Sequence, residues 1–221
     1  VLVPPGNPTG AIIDPAALER LVALCQTHGI WLISDETYDL LTFAPSEHRS
    51  PATLGDRSRV VVLGSFSKVF GLAAWRVGYL HGPAWLVEEA VKAQDTVVVC
   101  APVPAQLAAQ GALETLEQFV PTARATLRRR RDALLEVLDG LDWLEPTRPQ
   151  GATFTLARLT TTAHDVACCR ALVTGPGVVT VPGSAFGPRG AGWVRFSFGN
   201  QPVDRLREAG ARMQGFEPGG S

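Results

Sequence analysis

Lysine is scarce in this sequence, and so is net charge. Only two of the 20 basic residues are lysines, Lys68 and Lys92, and the formal net charge is −1. A chain so close to neutral has no bulk field that favours nucleic acid or a membrane surface, so we expect neither as a partner. Long apolar runs are also missing, since none reaches the roughly 18 residues of a membrane span. The 46% hydrophobic fraction is typical of a soluble globular protein with a core.

Cysteine is infrequent as well, and it forms no metal-binding pattern. The four cysteines are Cys25, Cys100, Cys168 and Cys169, with no C-x-x-C spacing and no histidine pairing of the zinc type. The adjacent Cys168 and Cys169 point to different sides of a helix, which makes them poor joint ligands. We therefore expect no metal site, and we interpret the cysteines as reduced, mostly buried thiols of a cytoplasmic protein.

Strand and helix patterns alternate through the first half of the chain. Residues Pro15 to His28 predict a helix, because Asp14 can cap it and Pro15 suits its first turn. Short apolar runs over 30–34 and 59–63 predict strands that are buried on both faces. Further helices are predicted over 83–94, 104–116 and 120–141. Strands that alternate with helices in this way favour an α/β layered sheet.

Shorter elements follow Gly140. The pattern there predicts strands over 153–157 and 193–198 and helices over 163–173 and 202–213. Such a mixture favours a second, smaller α+β domain. We therefore predict one domain over 1–120, a linking helix and small domain over 121–214, and a disordered tail over 215–221.

Four consecutive arginines, Arg128 to Arg131, lie within the predicted helix 120–141. Such a run could bind phosphate or nucleic acid. Because four consecutive residues fan around a helix instead of forming one face, we predict a solvated, salt-bridging surface instead.

Lys68 follows the apolar run Val60–Leu63, in the segment Ser65-Phe66-Ser67-Lys68. The end of a strand is where α/β enzymes place reactive groups. A primary amine there can form a Schiff base with a carbonyl cofactor. Its position alone favours the other interpretation, a surface lysine after a strand.

Other segments, taken with Ser65 and Lys68, carry a resemblance to a known family. They are Pro-Pro-Gly-Asn-Pro-Thr-Gly over 4–10, Trp-Leu-Ile-Ser-Asp-Glu-Thr-Tyr over 31–38, Arg76 within 75–79, and Val-Arg-Phe-Ser-Phe over 194–198. In this order the segments resemble the class I/II aminotransferases, which are fold-type I enzymes dependent on pyridoxal 5'-phosphate. The resemblance implies the α/β large-domain sheet of fold type I, layered with helices, plus a smaller α+β C-terminal domain. It also implies that an N-terminal portion of the family's chain, with a phosphate loop and a ring-stacking aromatic, is missing.

The resemblance implies a role for each matching residue. Lys68 would hold the cofactor as a Schiff base and move the substrate α-proton. Asp35 would keep the ring nitrogen protonated, although an aspartate after a strand can also be a simple helix cap. Tyr38 and Asn7 would donate to the phenolic oxygen of the ring, although Asn7 also fits pure turn chemistry.

Two arginines and a serine complete the predicted site. Ser65 and Arg76 would bind the cofactor phosphate, Arg76 through a permanent charge and a planar donor fork. Arg195 would bind the substrate α-carboxylate, with Asn7 beside it in the substrate site. Glu36 is a weaker candidate than Asp35, because neighbouring side chains diverge.

The function implied is transfer of an amino group between an amino acid and a 2-oxo acid, in a homodimer with a shared active site. A carbon–sulfur β-lyase dependent on pyridoxal phosphate would use the same residues. A third interpretation is a cofactor-sensing, aminotransferase-like domain of a transcription regulator. The segment Thr96–Pro104 carries no cation, which favours a neutral or aromatic substrate over a dicarboxylate.

Overall fold

A computed structural model describes residues 1–218, which form two compact units. The first unit contains Val1–Gly6 and Ala11–Ala123. The second contains Asn7–Gly10 and the chain from Arg124 onward. The short segment Asn7–Gly10 therefore groups with the C-terminal part of the sequence, which the predicted domain division at 120 did not anticipate.

The first unit has a three-stranded sheet in the order β1–β2–β3. Strand β1 (Leu32–Asp35) runs parallel to β2 (Val60–Ser65), and β2 runs antiparallel to β3 (Gly78–His81). The first three residues of β2 are valines and all are buried, whereas Leu63 is 36% exposed. The expectation that this strand is buried on both faces was therefore right for its first half only.

The first unit also contains helices before, between and after these strands. They are α1 (Pro15–Thr27), α2 (Phe66–Val69), α3 (Ala84–Val98), α4 (Val103–Glu114) and α5 (Leu116–Asp139), the last of which continues into the second unit. Asp14 caps α1, because its side chain accepts a hydrogen bond of 2.9 Å from the Ala17 amide. Leu18, Val22 and Cys25 form the buried stripe of α1 and pack with residues of β1 and β2.

The second unit has a four-stranded antiparallel sheet in the order β4–β5–β7–β6. Its elements are β4 (Leu144–Pro146), β5 (Phe154–Leu159), α6 (Asp165–Thr174), β6 (Val181–Pro182), β7 (Trp193–Ser197) and α7 (Val203–Met213). Val194, Phe196 and Phe198 are buried from β7 and its end, and Leu172 and Leu206 are buried from the two helices. Strands β4 and β6 were not predicted, because two or three residues are too few for a periodic signal.

Three of the four cysteines are buried and Cys100 is exposed, which agrees with the expectation of mostly buried thiols. Two smaller expectations need correction. Arg130 is not simply solvated, since its Nη1 donates a hydrogen bond of 2.7 Å to the Gly199 carbonyl. Phe216 packs edge-to-face on Trp143 with ring centroids 5.4 Å apart, so this part of the predicted tail has packed structure. Residues 219–221 of that tail lie outside the described residues.

None of the helices in the described part of the chain combines the length and the apolar character that crossing a membrane requires.

Candidate active site

The ends of two parallel strands bring Asp35 and Ser65 to one edge of the first unit's sheet. Asp35 is the last residue of β1 and is opposite Leu63 of β2 in the register. Ser65 is the last residue of β2, and α2 with Lys68 follows it directly. The carboxyl ends of adjacent parallel strands lie at the same edge of a sheet. Asp35 and the helix that carries Lys68 therefore lie at the same edge.

The Asp35 carboxylate is oriented by its own turn. Its Oδ1 accepts hydrogen bonds from the Thr37 amide at 3.1 Å and the Thr37 hydroxyl at 2.6 Å. The side chain is partly buried. The capping role that a structural aspartate would play is therefore present, and it uses one of the two carboxylate oxygens.

Tyr38 follows in the same turn. Its backbone carbonyl accepts from the Leu41 amide at 2.9 Å, and the residue is 8% exposed. The turn therefore fixes the backbone from which the phenol extends, three residues beyond Asp35.

Helix α2 holds Lys68 between two buried anchors. Phe66 and Val69 are 6% and 5% exposed, and Phe66 packs with Val77 and two alanines of α4. Lys68 lies between these anchors in the sequence and is exposed. Among residues 1–218, no carboxylate forms an ion pair with its amine. An exposed amine with a fixed backbone is suited to react with an aldehyde.

Ser65 is the N-cap of α2. Its Oγ accepts a hydrogen bond of 3.1 Å from the Ser67 amide. A hydroxyl that accepts in this way still has its own proton to donate. Ser65 therefore keeps a donor that a phosphate oxygen could use.

Arg76 ends a short 3₁₀ turn, Ala73–Trp75, with left-handed backbone angles of φ 50° and ψ 48°. Its Nη1 donates to the Ala73 carbonyl at 2.9 Å, and the side chain is exposed. The guanidinium has five N–H donors, so this one bond orients the group and leaves donors for an anion.

A buried Glu36–His48 pair that the sequence did not reveal lies beside Asp35. Glu36 Oε2 and His48 Nε2 are 3.4 Å apart, and each side chain is 7% exposed. Burial acts to raise the pKa of Glu36, but interactions with His48 and Ser50 outweigh it and hold that pKa below its ordinary value of 4.5. No local spacing indicates this pair, because its members are far apart in the sequence and only Glu36 belongs to a motif.

Tyr79 covers the strand next to Ser65. It is opposite Gly64 in the register, and a Cβ added at Gly64 would meet the Tyr79 ring at 2.0 Å. Partial burial, together with the charges of Asp39 and Glu36, raises the pKa of Tyr79. Gly64 is therefore required by the close approach of this ring.

The remaining two predicted residues lie in the second unit and contact each other. Nη1 of Arg195, on β7, donates to Oδ1 of Asn7 at 2.9 Å. The turn that carries Asn7 is held by the Gly10 carbonyl, which accepts from the amides of Gln150 and Gly151, both at 2.9 Å. Asn7 therefore orients the guanidinium that we predict to bind the substrate carboxylate.

The chemistry of these side chains fits pyridoxal phosphate. In the first unit, Lys68 offers a free amine, Asp35 a carboxylate, and Ser65 and Arg76 donors for an anion. In the second unit, the Arg195 guanidinium offers a planar fork for a carboxylate. The side chains of the first unit at its parallel strand edge, and the guanidinium of the second unit, are the kinds of group that the pyridoxal phosphate-dependent class with fold type I implies.

Comparison with known proteins narrows the class. A family model described as aminotransferase class I and II matches residues 1–212. The chain is 38% identical over 213 residues to arginine–pyruvate transaminase AruH of Pseudomonas aeruginosa, covering 95% of this chain and 53% of that protein. It is 33% identical to aromatic-amino-acid aminotransferase 2 of Thermococcus litoralis, covering 95% and 54%. The chain therefore belongs to the class I and II aminotransferases, a pyridoxal phosphate-dependent family.

Solved structures agree with this assignment. The crystal structure of an aromatic aminotransferase from Pyrococcus horikoshii superposes with a TM-score of 0.91 at 32% identity, over 96% of this chain and 58% of that one. Aspartate aminotransferase from Thermus thermophilus with maleate gives a TM-score of 0.88 at 33% identity, over 96% and 55%. The chain spans about half the length of the relatives it matches.

Proposed function

We propose that the protein is a pyridoxal phosphate-dependent aminotransferase that moves an amino group between an amino acid and a 2-oxo acid. The observation that carries the proposal is the position of Lys68: an exposed amine, held by two buried neighbours, at the strand edge that also carries Asp35. Membership of the aminotransferase family and relatives that are named transaminases support the same reaction.

Pyridoxal phosphate, when bound, supplies an electron sink for negative charge that develops at the substrate α-carbon. Lys68 would hold the cofactor through its amine, and the same amine, when it is free, would be the base that takes the substrate α-proton and gives it back. Asp35 would hold the ring nitrogen and favour its protonated form.

Three residues would hold the rest of the cofactor. Tyr38 would donate a hydrogen bond from its phenol to the ring oxygen. Ser65 would donate one from its hydroxyl to the phosphate, and Arg76 would neutralise the phosphate charge with the donors that its bond to Ala73 leaves available. The Ser65 and Arg76 side chains are each held by a hydrogen bond to nearby backbone, so these two groups are oriented before any ligand binds.

Arg195 binds the α-carboxylate of the substrate. Its hydrogen bond to Asn7 uses one N–H of Nη1, and the planar guanidinium can donate two parallel hydrogen bonds to a carboxylate. Asn7 is also the family's candidate for a donor to the cofactor ring, through the amide nitrogen that the bond to Arg195 does not use.

The substrate preference that we propose rests on the segment Thr96–Pro104. Among the relatives, the names include arginine, aromatic amino acids and aspartate as substrates. The segment Thr96–Pro104 contains no cation, which supports a neutral or aromatic substrate over aspartate. A lower KM for aspartate than for phenylalanine or alanine would overturn this preference. We also propose a homodimer and a cytoplasmic location, which sedimentation and cell fractionation would test.

The direct test is to trap the cofactor on the protein. The purified protein is incubated with pyridoxal phosphate and reduced with borohydride, and the modified peptides are identified by mass spectrometry. Stoichiometric label on the Lys68 peptide supports the proposal. Label that is equal on Lys68 and Lys92, or absent from both, contradicts it. Lys92 is a matched control, because it is the only other lysine of the chain and is also exposed.

A further inference from the structure

Two phenylalanine rings lie close to the guanidinium of Arg195. The Arg195 Cζ lies over the Phe154 ring at 5.2 Å from its centroid and over the Phe186 ring at 5.0 Å. Both distances are within the range in which a cation is attracted to an aromatic face. These two rings form what we call the aromatic cradle of Arg195.

The two rings of the cradle are held differently. Phe154 begins β5, is 4% exposed, and is opposite Ser197 of β7 in the register. Its position is therefore fixed by the sheet that also carries Arg195. Phe186 is 39% exposed and belongs to the short 3₁₀ helix Gly183–Phe186, so it needs a separate anchor.

Asp165 supplies that anchor. Its carboxylate is 1% exposed, and its Oδ2 accepts a hydrogen bond of 2.8 Å from the Ser184 amide. A buried carboxylate is tolerated only when such donors compensate the loss of water. The bond therefore ties the first residue of α6 to the 3₁₀ helix that carries Phe186.

Close backbone packing holds the same segment from the other side. A Cβ added at Gly183 would lie 2.2 Å from the Gly190 carbonyl oxygen and 2.7 Å from the Trp193 side chain. The segment therefore contacts the start of β7 with no room for a side chain at Gly183. Phe186 is consequently placed by Asp165 and by β7, the strand that carries Arg195.

We propose that Phe186 and Phe154 are positioning residues that hold the Arg195 guanidinium ready for a substrate carboxylate, and that Asp165 holds Phe186 in place. This rests on the proposed role of Arg195 in substrate binding. Aromatic rings contain no acceptor that would compete for the N–H donors. They also exclude water, and a hydrogen bond to a charged group is stronger where water is excluded.

The test is a pair of substitutions at Phe186, with a matched control. Phe186→Leu keeps an apolar side chain and removes the aromatic face, whereas Phe186→Tyr keeps the face. We expect Phe186→Leu to raise the KM for the amino acid and the 2-oxo acid about five- to tenfold, with kcat changed less than about twofold. Phe186→Tyr should restore the KM. Phe119→Leu is the control, because Phe119 is 40% exposed and stacks on Phe70 of the first unit.

A binding measurement separates this proposal from the reaction itself. Calorimetry would compare 3-phenylpropionate with 3-phenylpropanamide, which lacks the charge, on the protein with and without added pyridoxal phosphate. Phe186→Leu should weaken the carboxylate about five- to tenfold and leave the amide unchanged. Equal weakening of both ligands, an unchanged KM, or failure of Phe186→Tyr to restore it would overturn the proposal.

Asp165 is tested in the same way. Asp165→Ala should raise the KM in the same direction as Phe186→Leu, and Asp165→Asn, which keeps an acceptor for Ser184, should raise it less. Borohydride labelling of Lys68 should be unchanged in every variant. Loss of labelling in the unmodified protein would count against the proposed function alone, because carboxylate binding is measured without turnover.

Discussion

The two units hold their reactive side chains by different means. In the first unit, Asp35 and Ser65 make hydrogen bonds to residues two positions away, and Arg76 to one three positions away. In the second unit, the partner of Arg195 is Asn7, 188 residues away. The hydrogen bonds of the first unit join residues of one short motif, so the sequence can indicate them. The Arg195–Asn7 bond joins distant residues and forms only when the chain folds.

This difference has a chemical counterpart. The amine of Lys68 is exposed, as its proposed bond exchange and proton transfer require. The Arg195 guanidinium has Asn7 and two aromatic rings beside it, as the proposed recognition of one fixed carboxylate requires. We therefore expect substitutions in the first unit to lower kcat and substitutions around Arg195 to raise KM.

The largest effect is expected for Lys68→Arg. The guanidinium keeps the positive charge but cannot attach the cofactor or remove a proton at neutral pH. We expect kcat to fall by at least about 10³-fold, with Lys92→Arg unchanged. Steady-state kinetics and borohydride labelling measure this. Retention of more than a tenth of the activity would contradict the proposed role of Lys68 in the chemical step.

Asp35→Asn should have the next largest effect. Asparagine keeps the Oδ1 acceptor that Thr37 uses, so the turn should persist while the charge is lost. A neighbouring carboxylate raises the pKa of a cationic acid by about 1–3 units, and we expect kcat to fall about 10²-fold. A pH titration of the cofactor absorbance would show the lowered ring pKa. Asp14→Asn is the control, because asparagine also caps helix α1 well.

Arg195→Lys tests the second unit, where we expect an effect on KM instead of kcat. Lysine keeps the charge but loses the planar fork, so we expect KM to rise about tenfold or more with kcat nearly unchanged at saturation. Initial rates over a range of amino acid concentrations measure both constants. A fall in kcat larger than the rise in KM would show that Arg195 acts in the chemical step.

The smallest effect is expected for Glu36→Gln, and it depends on pH. The folded pKa of Glu36 is below 4.5, so its charge stabilises the fold above that pH and the contribution is lost as pH falls through the folded value. We expect a loss of about 1–2 kcal/mol at neutral pH that shrinks in acid. Urea unfolding at several pH values measures this.

Glu19→Gln provides a comparison for that prediction. Glu19 pairs with Arg49 at 2.6 Å, but both side chains are about half exposed, and exposed pairs contribute about 0–1 kcal/mol. An equal loss in the two variants would show that burial of the Glu36–His48 pair has no special effect.

Features set by neighbouring residues could be predicted from the sequence, whereas features set by distant residues could not. Helix α1 was predicted with its cap, because Asp14, Pro15 and the apolar stripe are local signals. The short strands β4 and β6 were missed, because their pairing is decided by β5 and β7 and not by their own residues.

The sites show the same contrast. Asp35 and Lys68 were predicted at or just after strand ends from sequence alone. In the structure Asp35 and Ser65 end β1 and β2, and Lys68 follows β2 directly in α2. The partners of Arg195 could not be predicted, because Phe186 reaches it through a 3₁₀ helix that Asp165 anchors. Glu36 was set aside for diverging from Asp35, yet this divergence directs it to His48.

Transfer of isotopic nitrogen is the most direct measurement of the proposed reaction. The protein, loaded with pyridoxal phosphate, is incubated with a ¹⁵N-labelled amino acid and an unlabelled 2-oxo acid, and the products are followed by mass spectrometry. We predict that ¹⁵N appears in the amino acid made from the 2-oxo acid, in equal amount to the new 2-oxo acid. Release of ¹⁵N as ammonia without a need for the 2-oxo acid would contradict transamination, as would cofactor binding with no transfer.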